Sequence, residues 1–150
     1  KPFCDLYLAF TVQEEIGLRG AVTATFGVEP DIAVAVDVTD TGDTPGAEPM
    51  AIKLGGGVAV KVKDGRMIAS HEVRGLMESV CEENGIPYQL EILSGGTTDA
   101  SVMQISRGGV KTGAVSVPTR YIHTVSETAA VSDIEATIKM LEKIVTRDEK

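Results

Sequence analysis

The stretch Phe10-Thr11-Val12-Gln13-Glu14-Glu15-Ile16-Gly17-Leu18-Arg19-Gly20-Ala21 joins a short apolar run to two adjacent carboxylates and a glycine-punctuated turn. The run from Leu6 to Val12 has the length and the β-branched and aromatic content of a buried strand, and Gly17 and Gly20 mark the turn after it. A strand ending in charge puts the expected chemistry at its terminus. An unpaired carboxylate is costly to bury, so Glu14 and Glu15 must face solvent, meet cations or hold metal. Standing alone, such a pair is most often a solvated strand end.

The pattern recurs along the chain. Asp31 to Asp37 is a continuous apolar run closed by a carboxylate, as in a strand covered on both faces. Tyr88 to Leu93 alternates and runs into Ser94-Gly95-Gly96-Thr97-Thr98-Asp99, and Thr112 to Val117 leads through Pro118 to Arg120-Tyr121-Ile122-His123. Ligands bind at the carboxyl ends of strands in open α/β sheets, so Glu14, Glu15, Asp37, Asp99 and His123 are expected at one crevice.

Helices are expected between these strands. Leu18 to Phe26 carries Leu18, Ala21, Val22 and Phe26 on one face. His71 to Asn84 places Val73, Leu76, Met77, Val80 and Cys81 at helical spacing, with Gly85 as the stop. Ala100 to Arg107 is a short helix capped from Thr97, Thr98 or Asp99. The last opens on the capping box Ser132-Asp133-Ile134-Glu135 and buries Ile134, Ile138, Leu141, Ile144 and Val145, its tail from Thr146 to Lys150 fraying. Thr39 to Pro49 is loop. Val58 to Lys63 alternates Val with Lys and is expected half-exposed, with Lys61, Lys63 and Arg66 on the solvated side, before the Asp64-Gly65 turn. Alternating strands and helices predict one α/β domain with a mostly parallel or mixed sheet covered by helices.

Composition narrows the function. At 150 residues, 43% hydrophobic and 24% charged, the chain can bury one core. A net charge of −8 argues against nucleic acid and against anionic membrane as partners, because both require a basic face. No apolar run approaches the ~20 residues of a membrane span and no signal-peptide pattern opens the chain, so a cytoplasmic location is expected. Cys4 and Cys81 lack the spacing of a zinc or redox motif and are expected as reduced core residues. Carboxylates with a histidine suit Zn²⁺, Mn²⁺ or Co²⁺, leaving one carboxylate free to take a proton from water. Glycoside hydrolysis is disfavoured, since adjacent Glu14 and Glu15 cannot flank a sugar bond from opposite sides at ~5 Å.

Four segments, Gln13 to Ala21, Val36 to Thr39 with Gly42 to Gly46, Ser94 to Ala100, and Arg120 to Thr124, resemble the dinuclear-metal aminopeptidases of the tetrahedral, or deblocking and glutamyl, type, some of which are labelled endoglucanases. The likeness runs in order from about Phe3 to Val145. It implies a zinc-peptidase-like catalytic domain acting on peptide substrates, with Glu14 as general base. Glu15 and His123 match ligands of one metal and Asp37 a ligand of the other, the pair of ions being Zn or Co, with Mn a third candidate. It also implies a homo-oligomer, from dimer to twelve-subunit shell.

That family draws a further histidine and a bridging aspartate from upstream of the glutamate pair, where its inserted dimerisation domain also lies. The resemblance therefore implies that residues 1–150 are the C-terminal half of a metallopeptidase catalytic domain, which alone would bind metal poorly and be inactive. His71 matches no ligand. Gly95, Gly96, Thr97 and Asp99 are read as a substrate-side loop, because free N–H groups at a helix start can hold a carbonyl or carboxylate. Arg19 is read as a group that could orient Glu14 or Glu15 by a charge-assisted bond.

Overall fold

The computed structural model describes residues 2–147, so the expected fraying of the last residues lies largely outside it. The elements in chain order are α1 Arg19–Val28, β1 Ile32–Thr39, β2 Val58–Lys63, α2 His71–Asn84, β3 Tyr88–Ile92, α3 Ala100–Gln104, β4 Lys111–Arg120, β5 Thr128–Ala129 and α4 Val131–Thr146. Among the described residues no helix is long and apolar enough to cross a membrane. The sheet has the order β1-β4-β2-β3, with β5 on the end of β4. It is mixed: β1 pairs with β4 and β2 with β3 in parallel, while β2 and β4 run antiparallel. The carboxyl ends of β1 and β4 therefore share one edge of the layer, and those of β2 and β3 lie at the other.

Two cores divide the layer. On one face Val58, Val60 and Val115 pack against Val73, Met77, Val80 and Cys81 of α2 and Ala136 and Met140 of α4. α2 lies so close that a Cβ at Gly113 of β4 would stand 2.8 Å from Met77 and Val73. The other face is lined by Ala35 and Ala114, which meet Met67, Ala69 and Ala100. These small side chains admit a loop and a short helix close to the sheet, and that face carries the acidic groups.

α2 matches its sequence pattern from end to end, and Gly85 closes it at φ 60°. Several other expectations are corrected. Leu6 to Val12 forms no strand: it pairs with no strand among the described residues, and Leu6, Tyr7, Leu8, Phe10 and Val12 are exposed, Phe10 at 93%. Apolar content favours a strand only where a neighbour completes the ladder. β1 is fully covered on one face alone: along the other Val34 packs against the core of α2 and α4, while Ile32, Val36 and Val38 are exposed, because it is the edge strand.

β2 is central rather than half-exposed, and Lys61 is 1% exposed. In α1 the buried positions are Ala21 and Thr25, behind Leu18, while Val22 and Phe26 face outward and Arg107 stacks over the Phe26 ring at 3.9 Å. The capping box of α4 does not form. Asp133 instead accepts the N–H groups of Gly55 and Gly57 at 2.7 and 2.9 Å, and the helix buries Ala136, Thr137 and Met140 where Ile134 and Ile138 were expected. Cys81 is a free core thiol, but Cys4 is exposed.

Candidate functional site

Beyond Val12 the chain turns sharply. The carbonyl of Glu14 accepts the N–H groups of Gly17 and Leu18 at 3.0 and 2.9 Å, and Gly20 seats its N–H on Val12 O at 2.9 Å. A Cβ at Gly20 would meet Val12 backbone atoms at 2.5 and 2.7 Å, so this turn requires glycine there. The packing leaves Glu14 half-buried and Glu15 exposed, on consecutive residues.

β4 supplies the histidine. After Arg120 the chain leaves the sheet with Tyr121 and His123 both at positive φ, 58° and 60°, and β5 returns antiparallel to Thr119 and Arg120. The His123 N–H donates to Glu127 Oε1 at 2.6 Å. The ring Nε2 stands 3.0 Å from Glu15 Oε1, which brings together two residues 108 positions apart. Glu15 and His123, which the resemblance implies as ligands of one metal, thus lie in direct contact.

Asp37 is the next member. It is partly buried on the small-residue face of β1, beside Ser116 in the β1–β4 register, and its Oδ1 accepts the Val38 N–H at 2.8 Å. Burial raises its carboxyl above the ordinary range; Asp99 and Glu15 add to the rise, while the Val38 N–H and the Lys61 charge oppose it. Glu14 is raised as well, chiefly by burial, then by the charges of Asp37, Asp99 and Glu15, with His123 pulling the other way. Asp99 and Glu15 thus act on both Glu14 and Asp37, which places the four carboxylates in one electrostatic group.

Asp99 joins that group by a route the strand-end argument did not foresee. β3 runs opposite to β1 and β4, so its carboxyl end is at the wrong edge. The link 93–99 returns across the small-residue face, where Ala100 packs with Ala35 and Ala114, and Asp99 Oδ2 accepts the Thr11 hydroxyl at 2.6 Å. The rest of this loop is committed to the fold. Thr97 donates to Asp64 at 3.2 Å, Gly96 O accepts the Gly65 N–H at 3.0 Å, and Gly95 and Gly96 are exposed. Arg19 bonds the Gln13 side chain at 3.5 Å and forms no bond to Glu14 or Glu15 among the described residues.

Two features of the site had no signal in the sequence. Beneath Asp37, Lys61 Nζ and Glu91 Oε1 form an ion pair at 2.6 Å that is 1% and 0% exposed, and the Thr39 hydroxyl donates to the same oxygen at 2.6 Å. Arg120 grips Asp43 in a bidentate fork at 3.1 and 2.7 Å. Both pairs join residues far apart in the chain, which no local pattern encodes.

The donor types fit divalent ions: an exposed carboxylate and imidazole face each other, and neighbouring carboxylates crowd without a cation of their own except Lys61. Among the described residues no three His, Cys, Asp or Glu side chains close around one point.

Fold and site together define an α/β layer bearing a carboxylate–histidine centre at the shared edge of β1 and β4. The chain belongs to the M42 glutamyl aminopeptidase family, whose model matches residues 1–140. It is 54% identical over 137 residues to a protein of Acetivibrio thermocellus named as a candidate aminopeptidase, a match covering 91% of this chain and 42% of that protein. An aminopeptidase from the archaeon Desulfurococcus kamchatkensis superposes with a TM-score of 0.87 at 40% identity, over 92% of this chain and 40% of that one. The Pyrococcus horikoshii TET1 peptidase, described as assembling into a tetrahedron or a large octahedral shell, superposes at 0.79 with 35% identity, over 93% of this chain and 40% of that one. The chain thus spans about two fifths of the length of the relatives it matches.

Proposed function

We propose that the protein to which this chain belongs is a metal-dependent aminopeptidase with Glu14 as general base. The observation that carries this reading is the Glu15–His123 contact of 3.0 Å beside a half-buried Glu14 whose carboxyl is raised by burial and by its acidic neighbours. Glu15 and His123 would hold one divalent ion and Asp37 would help to hold a second, with Zn or Co the preferred ions and Mn a third candidate. Such ions polarise a scissile carbonyl and make water acidic enough to attack at neutral pH. Glu14 accepts the proton of the attacking water; as the C–N bond breaks, it delivers that proton to the leaving amine. Of the residues expected on the substrate side, Asp99 joins this arrangement, whereas Gly96 and Thr97 bond Gly65 and Asp64 just beyond the end of β2.

Peptides are the substrates on this reading, the location is cytoplasmic, and the intact protein is a homo-oligomer, supported by the assembling TET1 relative. Residues 1–150 form the C-terminal half of the catalytic domain. The unpaired apolar run from Leu6 to Val12, the open edge of β1 and the shared length of about two fifths support this placement. A second reading concerns the chain by itself: it is a non-catalytic part with an incomplete metal site, an alternative raised by the shared length of about two fifths.

In the intact protein, Glu14→Gln is expected to lower turnover of an aminoacyl amide by roughly 10²–10⁴-fold, the usual range for a lost general base. Unchanged turnover rejects the role. Calorimetric titration of Co²⁺ into the 150-residue chain tests the second reading: weak binding without peptidase activity is expected, and tight binding of two ions with activity overturns it.

A further inference from the structure

We propose that Asp43 and Arg120 are positioning residues that set the His123 turn against the Asp37 strand end. Only its metal-binding consequence rests on the reading of His123 as a ligand. The pair joins the turn that carries His123 to the loop that follows the strand carrying Asp37. Arg120 is the last residue of β4, three before His123, and Asp43 lies in the loop that continues β1 beyond Asp37. The fork uses two guanidinium nitrogens on both carboxylate oxygens, at 3.1 and 2.7 Å, which fixes orientation as well as distance.

The Asp43 side of the clamp is itself anchored. Gly42 donates its N–H to Ile52 O at 2.9 Å, and Ile52 is fully buried. Asp43 Oδ2 also accepts the Leu54 N–H at 3.1 Å. A Cβ at Gly42 would come within 2.3 Å of Met50 O, so the loop is folded tightly on itself. The Arg120 bond first, and the Leu54 N–H with it, hold the Asp43 carboxyl far below its ordinary range.

The His123 side needs such an anchor. Tyr121 and His123 both occupy the left-handed region, which non-glycine residues adopt at a cost and keep only where surrounding bonds demand it. Within the turn, Thr124 N–H and Oγ1 both donate to Tyr121 O, at 3.2 and 2.6 Å, and Glu127 accepts the His123 N–H. These bonds are internal to the turn and do not say where it points. At its base β5 contributes two residues, and Arg120 is the side chain that ties this base to the loop after β1.

The test is amide hydrogen exchange by NMR on the full 150-residue chain, read as the His123 rate relative to that of Val115 in the core, together with the His123 imidazole ¹⁵N shift. Asp43→Asn removes the charge, and Arg120→Lys keeps the charge while removing the fork. Both are expected to raise the exchange ratio at least tenfold and to move the imidazole shift away from its Glu15-bonded value. Arg147→Gln, which breaks the exposed pair with Glu83, leaves both unchanged. An unchanged ratio and imidazole shift in both variants overturns the proposal; equal acceleration at Val115, the mark of a general loss of stability, leaves the ratio unchanged and counts against it. Co²⁺ titration of the same samples, followed by visible absorption, is expected to show weaker binding in both variants. A wild-type chain that binds no Co²⁺ removes the metal-binding consequence for this chain and leaves the positioning role standing, because the exchange ratio needs no metal.

Discussion

Two pairs of opposite chemistry lie on the same side of the sheet. Lys61 and Glu91 meet at 2.6 Å with almost no exposure, whereas Glu15 and His123 meet at 3.0 Å with most of each side chain in solvent. The buried pair lost its water to the fold, and desolvation of both charges offsets much of their attraction. The exposed pair gains little from its contact, because solvent screens it. Short distance therefore says little about purpose. The buried pair is tied to stability through the cost of breaking it, while the exposed pair is free to exchange its contact for a ligand.

The sharpest way to break this contrast is to remove one member of the buried pair. Lys61→Met leaves Glu91 charged, buried and, among the described residues, bonded only by Thr39, and is expected to destabilise the chain by about 3–5 kcal/mol in urea unfolding. The double variant Lys61→Met with Glu91→Leu is expected to recover most of that loss, since no uncompensated charge remains. A double variant no more stable than the single one contradicts the account. At the exposed pair the same experiment is expected to read almost nothing: Glu15→Gln changes unfolding stability by less than about 0.5 kcal/mol. A larger loss gives that contact a structural role and weakens its reading as a ligand pair.

The same contrast explains what the sequence disclosed. α2 was legible because its signal is local: apolar spacing of three and four, closed by a glycine able to take positive φ. The acids and histidine at the ends of β1 and β4 were legible because parallel strands place their ends together. Lys61 was misread because lysine between valines ordinarily faces water, and its partner Glu91 lies on the next strand, 30 residues away. Leu6 to Val12 failed for a related reason. The apolar pattern was present, but a strand is a property of a pair. Asp99 reached the expected cluster by another road, since the antiparallel junction of β2 and β4 put its strand end at the far edge.

The smallest effect concerns acidity, and it separates a crowded carboxylate from a clamped one by sign. Glu14 is raised above its ordinary 4.5, so the folded chain holds its proton at pH values where the unfolded chain has released it. Stability then falls as pH rises through the window that starts near 4.5, because the native state binds more protons there. Asp43 is lowered from its ordinary 3.8 by the Arg120 bond first, so the unfolded chain binds more protons below that value. Its stabilisation is present above about pH 3.8 and is lost as pH falls through the window beneath. In a series of urea midpoints, Glu14→Gln is expected to flatten the decline above pH 4.5 and Asp43→Asn the acid-side loss below pH 3.8. Opposite slopes from two carboxylates, one partly buried among other acids and one facing arginine, are what these surroundings require; a shared slope removes the distinction between them.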